Sequence, residues 1–382
     1  MDLETFRWLL TESGQQLLAE AGQTSDPEGR QLRRTYTGEQ VAAALTQAEL
    51  RTKAQGKFGD FATGMYFTHD ALEQATRLSV SRHRAARVQA AGLETVIDLG
   101  CGIGGDLIAF ALAGLTAAGI DLDPLRVEMA QANLAAAGVG GATMVADATT
   151  INLDPFDVAF ADPARRTARG RAFTPDDWQP SWDFITKLFA RDAVVKTAPG
   201  IDHGLIPEGV EAEWVSEGGE VKEAALWSGR LASVRRRATV IGDSGLATLT
   251  DEDECIEEVR DLGRCLYEPD GAVIRAGLVG AVAAGVGGGL VDAKIAYVTS
   301  DESFRTPFAK SYLIKEEVPY REKQLRAALR VRGIGRLTIK KRGIAITPEE
   351  LRKRLDLKGD NEATLVLTRV QGQGTALLVA PF

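Results

Sequence analysis

Residues 96–106 read Val96-Ile97-Asp98-Leu99-Gly100-Cys101-Gly102-Ile103-Gly104-Gly105-Asp106. Val96 and Ile97 supply the β-branched run of a strand buried on both faces. Gly100, Gly102, Gly104 and Gly105 allow positive φ and close approach of the backbone to a ligand. The stretch 106–113 continues as a helix, and a second strand ends in Asp121. A strand, a glycine loop and a helix in that order open a doubly wound α/β sheet with a cofactor laid on the loop.

The charges around the loop restrict the cofactor. A loop that takes a pyrophosphate follows the form G-x-G-x-x-G and leaves its helix N-terminus open to negative charge. Here the register is Gly100-x-Gly102-x-Gly104-Gly105, framed by Asp98 and Asp106. Two carboxylates repel phosphates but suit a cofactor that carries an amino group and a sulfonium, so S-adenosylmethionine is expected rather than NAD. Asp98, Gly100, Cys101, Gly102, Gly104 and Asp106 are the expected cofactor residues of the loop.

Later strand ends extend the site. Asp121 closes the strand 116–121 and is placed, about 20 residues after the loop, to accept from both hydroxyls of a ribose, with Leu122 beside it. Asp123 caps the helix that begins at Pro124. A third strand, 143–146, runs into Asp147 and Ala148, where a carboxylate can accept from an adenine amino group. A fourth, 156–161, runs into Asp162-Pro163-Ala164-Arg165-Arg166. Ligands of open parallel sheets bind outside the carboxyl ends of the strands, where Asp98, Asp121, Asp147 and Asp162 all fall.

Residues 93–166 resemble a class I S-adenosylmethionine-dependent methyltransferase. Asp162-Pro163-Ala164-Arg165 is similar to the Asp-Pro-Pro-Arg/Tyr motif of nucleic-acid methyltransferases, with Ala164 in place of the second proline. The whole chain resembles actinobacterial-type methyltransferases with a THUMP-like C-terminal domain. The resemblance implies a Rossmann-like class I methyltransferase α/β sheet, preceded by an N-terminal helical region and followed by a C-terminal α+β domain. The expected divisions are 1–91, 92–242 and 243–382.

At 382 residues the chain suits two or three domains, and 45% hydrophobic with 26% charged residues is the composition of a soluble globular protein. The N-terminus has no basic region followed by an apolar stretch, and no window approaches a membrane span; the cytoplasm is expected. Cys101, Cys255 and Cys265 form no Cys-His cluster, so no structural metal is expected. A net charge of −8 argues against indiscriminate coating of nucleic acid. Positive charge is nonetheless concentrated from Arg321 to Lys358, on expected helices 320–331 and 348–355 and around Lys340, Lys341 and Arg342.

Upstream, 38–53 is an alanine-rich helix and 71–91 a longer one bearing Arg77, Arg82, Arg84 and Arg87. Beyond the fourth strand, a helix over 174–190 and a fifth strand over 193–196 are expected, then extended segments 212–217, 221–227 and 237–241 resembling the antiparallel closing strands of a methyltransferase sheet. In the third part, strands are expected near 293–298, 310–314, 336–341, 363–370 and 376–379.

Methyl transfer from a sulfonium is an in-line displacement, so the enzyme aligns the nucleophile and, where it is an amine, accepts hydrogen bonds from it. Asp162, followed by rigid Pro163, offers a carboxylate for that purpose. Arg165 and Arg166 then meet RNA phosphates or a guanine edge, with Lys340, Lys341 and Arg342 docking the RNA. A pyrimidine C5 target needs a cysteine nucleophile, and none follows Asp162 within the catalytic part. The expected substrate is structured RNA, tRNA or rRNA, methylated at a base nitrogen unstacked into a pocket at Asp162. One alternative is ribose 2′-O-methylation using Lys196, since Asp162, Lys196 and Glu223 resemble part of the Lys-Asp-Lys-Glu set of such enzymes. Small-molecule methylation and a non-catalytic RNA-binding role are others. His69, His83 and His203 have no sequence partner for a relay or metal. Tyr66, Phe67 and Thr68 stand before a helix, where core packing is weighed above a place in the site.

Overall fold

Side-chain caps set where most of the first helices begin. Asp2, Thr11, Thr37 and Thr68 accept from the amide three residues on, opening α1 (Leu3–Leu9), α2 (Glu12–Gln23), α3 (Gly38–Phe58) and α4 (His69–Gln74). Gln40 completes a capping box by accepting from the Thr37 amide. The computed structural model describes all residues except 25, 27, 166–177 and 244, and at 164 and 165 the backbone alone. Met1–Thr197, Ile201–Val210 and Ala225–Ser233 form one compact unit, and Ala198–Gly200, Glu211–Ala224 and Val234–Phe382 another.

The helix expected over 71–91 is two: α4 ends at Gln74, and α5 (Leu78–Ala90) starts afresh. No glycine or proline breaks it. The Lys57 ammonium donates to the carbonyls of Leu72, Glu73 and Ala75 at 2.7–2.8 Å, satisfying the orphan acceptors of a helix end there.

The sheet of the first unit holds β1 (Thr95–Leu99), β2 (Thr116–Asp121), β3 (Ala142–Val145) and β4 (Val158–Ala161). A short antiparallel pair follows, β5 (Ala164–Arg165) and β6 (Trp178–Gln179), and then β7 (Ala193–Thr197). The order β7-β4-β1-β2-β3 is parallel throughout, so the chain reverses direction across the sheet between β1 and β4, where an open α/β sheet forms its ligand crevice. The crossovers carry α6 (Gly105–Leu112), α7 (Pro124–Ala136) and α8 (Trp182–Leu188). This last helix is shorter than the expected 174–190: it is capped by Ser181 directly after Pro180, and 174–177 lie outside the described residues. All of β4 is buried, and Phe160 meets Phe110 of α6 edge to face at 5.5 Å. Truncating either ring would cost roughly 3–5 kcal/mol.

The second unit opens with β8 (Glu211–Glu217), followed across the Gly218-Gly219 turn (φ 61° and 82°) by β9 (Glu220–Ser228), whose last four residues belong to the first unit. Two successive positive φ angles are the hairpin geometry that glycine supplies. β10 (Arg236–Gly242) pairs parallel with β8 and antiparallel with β11 (Gly245–Thr250). The expected all-antiparallel closure is therefore corrected: β10 follows the returning β9 and enters on the far side of β8, running in its direction. The rest builds a seven-stranded sheet from β12 (Cys265–Pro269), β13 (Gly289–Asp292), β14 (Ile295–Ser300), β15 (Ala309–Val318), β16 (Ile334–Lys341), β17 (Asn361–Val370) and β18 (Gln373–Pro381). The helices of this stretch are α9 (Gly271–Ala276), which packs on β8 and β10, and α10 (Val279–Gly285), α11 (Glu322–Val331) and α12 (Pro348–Leu355). The strand order is β13-β14-β12-β15-β18-β17-β16, and β16 and β17 are parallel because α12 crosses over between them. Leu325 and Leu329 of α11 and Leu351 and Leu355 of α12 share one core with Leu337, Ile339 and Leu365. Among the described residues no helix is long and apolar enough to cross a membrane.

Candidate cofactor and catalytic site

The glycines of the loop divide by task. The amides of Gly100 and Cys101 both donate to the Ile120 carbonyl, at 2.9 and 2.8 Å, which ties the loop to β2. A Cβ added to Gly100 (φ 116°) or Gly102 (φ 53°) would meet nothing within 4 Å, so these two keep an open backbone cradle. At Gly104 it would stand 3.1 Å from the Cβ of Ala130, and at Gly105 3.3 Å from the Phe58 ring. These two let α6 pack closely. Gly119 does the same from β2, where a Cβ would strike Leu107 and Cys101.

Four carboxylates gather at the strand ends, each in a different condition. Asp121 accepts from the Gly102 amide at 3.0 Å and, through its other oxygen, from the Asp123 amide at 2.9 Å. Asp106, in the first turn of α6, is paired with the Arg84 guanidinium of α5, which is 1% exposed and lies 4.6 Å from the centre of the Phe160 ring. Asp162, just past β4, meets the Lys196 ammonium of β7 at 2.5 Å, and Pro163 behind it is buried. Asp98 is 2% exposed, and its buried Oδ1 has no hydrogen-bond partner among the described residues. Burial pushes its carboxyl well above the usual carboxylate range. The charges of Asp106, Asp162 and Asp121 push the same way, and Arg84 opposes them.

The remaining expected residues are placed as follows. Leu122 is 59% exposed beside Asp121. Asp147 and Ala148 lie in the turn after β3, where Asp147 accepts from the Thr149 amide and hydroxyl at 2.8 and 2.7 Å; those bonds hold its carboxyl below the usual range. Burial pushes the Cys101 thiol far up, aided by the charges of Asp98 and Asp121, leaving it unsuited to act as a nucleophile. The Arg165 side chain and all of Arg166 lie outside the described residues. In the second unit Lys340 is paired with Glu268 at 2.6 Å and stands 5.6 Å over the Tyr312 ring. Lys341 donates to the carbonyls of Ile344 and Ala345, and Arg342 lies 5.5 Å from the Tyr297 ring centre. Much of the positive charge around them is matched locally, Arg332 by Glu316, Arg336 by Glu362 and Arg354 by Glu322. Glu223 is buried on β9.

Three side chains that matter here stood outside the expected site. Arg84 was one of several arginines on a helix. Asn133 of α7, fully buried, accepts from the Tyr66 amide at 2.7 Å and donates to the carbonyls of Tyr66 and of Ile103 in the glycine loop, at 3.0 and 2.8 Å. Gln47 of α3 brackets Phe67 in the same fashion, accepting from its amide and donating to its carbonyl. Tyr66 and Phe67 are thus core, 5% and 0% exposed, and Thr68 is a helix cap. A buried amide with a main-chain partner on each side leaves no periodic trace in a sequence.

Comparison with known proteins gives three local matches: residues 96–170 to a methyltransferase domain, 309–381 to a THUMP domain-like module, and 2–54 to a domain of unknown function. Two curated relatives from strains of Mycobacterium tuberculosis, described as uncharacterized S-adenosylmethionine-dependent methyltransferases, are each 38% identical over 350 residues, covering 88% of this chain and 95% of theirs. A crystal structure from Porphyromonas gingivalis W83, described as a candidate methyltransferase, aligns with a TM-score of 0.74 at 22% identity over 99% of this chain and 97% of that one. It has the same fold.

Proposed function

Because the chain belongs to the S-adenosylmethionine-dependent methyltransferases that carry a THUMP-like domain, we propose that it methylates structured RNA, tRNA or rRNA, at a base nitrogen presented to Asp162. The observation that carries this reading is the Asp162–Lys196 pair at the mouth of β4 and β7, together with the buried Oδ1 of Asp98, which has no hydrogen-bond partner among the described residues. The residues fit the cofactor: an orphaned buried acceptor suits an ammonium, and the open backbone at Gly100 and Gly102 suits a ligand lying against it. When bound, S-adenosylmethionine supplies a methyl group activated by a sulfonium. Asp98 accepts from its amino group, Asp121 from the ribose hydroxyls, and Leu122, Asp147 and Ala148 border the adenine.

Asp162 then accepts hydrogen bonds from the target amine, aligning its lone pair and taking up its proton, while Lys196 fixes the carboxylate. Pro163 stiffens the turn behind it. Arg165, Arg166, Lys340, Lys341 and Arg342 contact RNA phosphates, with 243–382 as docking module, 92–242 as catalytic domain and 1–91 as the helical region that braces it. Such a substrate, and three cysteines that form no disulfide, go with the cytoplasm.

The test is methyl incorporation from labelled S-adenosylmethionine into total RNA, followed by mass spectrometry of the nucleosides. A base-methylated nucleoside that disappears with Asp162→Ala supports the reading. The closeness of Lys196 to Asp162 also favours a 2′-O target, and a 2′-O-methyl product lost with Lys196→Ala would replace the nitrogen reading by that one. A methylated small molecule with unmodified RNA would sink both, and tight cofactor binding with no acceptor at all would leave a non-catalytic binding protein.

A further inference from the structure

The carboxylates at the strand ends are sorted by their partners. Arg84 from α5 holds Asp106 at the start of α6, and Lys196 from β7 holds Asp162 past β4. The two oxygens of Asp121 each accept one amide, of Gly102 and of Asp123, and each keeps a lone pair for a hydroxyl. Asp98 is left, with one buried oxygen that meets no donor among the described residues. Arg84 is 1% exposed and stacked on Phe160, so its guanidinium is fixed where a flexible lysine on the surface would not be. It reaches the loop from outside the α/β sheet.

We propose that Arg84 is a positioning residue for the amino group of the cofactor: by taking Asp106, it leaves Asp98 as the acceptor that receives the ammonium. The proposal rests on the S-adenosylmethionine reading of this site. Its chemistry follows from what two neighbouring carboxyl groups do without a cation close by, which is to share a proton. A shared proton blocks the acceptor and must leave before an ammonium can bind. Among the described residues, the titratable and charged groups that face Asp98 are Asp106 on α6, Asp121 on β2, Asp162 after β4, the Cys101 thiol of the loop and Arg84 on α5, and Arg84 alone of these opposes protonation. Lys196 acts one step removed, through Asp162.

The experiment is calorimetric titration of the full chain with S-adenosylmethionine between pH 6 and 8.5, in two buffers of different ionisation enthalpy, so that protons released on binding are counted. The wild type is expected to bind with a weaker pH dependence than Arg84→Met, because Arg84 offsets part of the upward push that burial and the neighbouring carboxylates exert on Asp98. Arg84→Met is expected to bind more weakly, with affinity rising by up to about tenfold per pH unit and close to one proton released per cofactor on the acid side. Arg84→Lys is expected to restore most of the wild-type profile. Unchanged affinity and pH slope in Arg84→Met would overturn the proposal, as would a uniform loss of affinity without proton release, which marks a purely structural role. Should Arg84→Met not fold, Asp106→Asn decides: with the charge of Asp106 removed, the Arg84 guanidinium is drawn toward Asp98, and affinity drops at every pH, while unchanged affinity counts against the proposal. A wild type that binds no S-adenosylmethionine refutes instead the reading beneath it.

Discussion

The ammonium of Lys196 and the carboxylate of Asp162 meet at 2.5 Å from adjacent parallel strands, β7 and β4, with Asp162 the more exposed partner. One side chain is thus braced and the other presented. If Asp162 accepts the proton of a base nitrogen, Asp162→Asn lowers the turnover number by about 10²–10⁴-fold. Lys196→Met then costs within about tenfold. For a ribose hydroxyl the ranking inverts, with Lys196 the more damaging loss. Single-turnover methylation of RNA by the two variants separates the cases.

Asn133→Ala orphans the amide of Tyr66 and the carbonyls of Tyr66 and Ile103, all held by one fully buried side chain. Each buried group left unsatisfied costs about 1–3 kcal/mol, so a loss of roughly 3 kcal/mol or more is expected in urea unfolding. A loss below about 1 kcal/mol would show that the clamp is replaceable.

Gly102→Ala and Gly104→Ala are expected to fail differently. Both force a side chain into the left-handed region, at about 1–2 kcal/mol. Only at Gly104 does the new Cβ also press on Ala130, at 3.1 Å. Gly104→Ala should lower the melting temperature the more. Gly102→Ala, facing open space, should show its effect chiefly as weaker S-adenosylmethionine binding in calorimetry.

Cys255 is exposed, while Cys101 and Cys265 are buried, and burial holds the Cys101 thiol protonated far above neutral pH. Brief alkylation of the native protein at pH 8, read by mass spectrometry, should mark Cys255 alone. Cys101→Ser should retain methyl transfer. Loss of activity there would point to a covalent cysteine mechanism and away from a base nitrogen.

Asp157 accepts from the amides of Glu94 and Thr95 and from the Thr95 hydroxyl, and those bonds hold its carboxyl below the usual range. A depressed folded value means stability that is complete above the unfolded value, about 4, and is lost as pH falls through the folded one. The stability gap between wild type and Asp157→Ala should therefore be full at pH 7 and narrow below pH 4, measured by urea unfolding at each pH.

The strands β1, β4 and β7 were legible because strands buried on both faces write themselves as apolar runs that stop at polar ends. Strand ends likewise marked Asp98, Asp121 and Asp162. Arg84 was not legible, since nothing in the spacing of Arg77, Arg82, Arg84 and Arg87 tells which one turns inward. The break after α4 was hidden for a related reason: Lys57, which ends that helix, sits on the preceding one. On the basic segment the arginines and lysines could be counted, but their partners could not; Glu268 stands 72 residues before the Lys340 it neutralises.

The amide of Asn133 grips the glycine loop with one hydrogen bond and the chain at Tyr66 with two. A protein started at residue 92 would keep the strand, the loop and the bond to Ile103, yet strip that amide of both its partners at Tyr66, with Arg84 gone from Asp106 as well. Grafting the sheet onto another helical segment would succeed only if Gln47, the Tyr66–Phe67 turn, Arg84 and Asn133 travelled together, as one inherited part that happens to be written in two stretches of sequence.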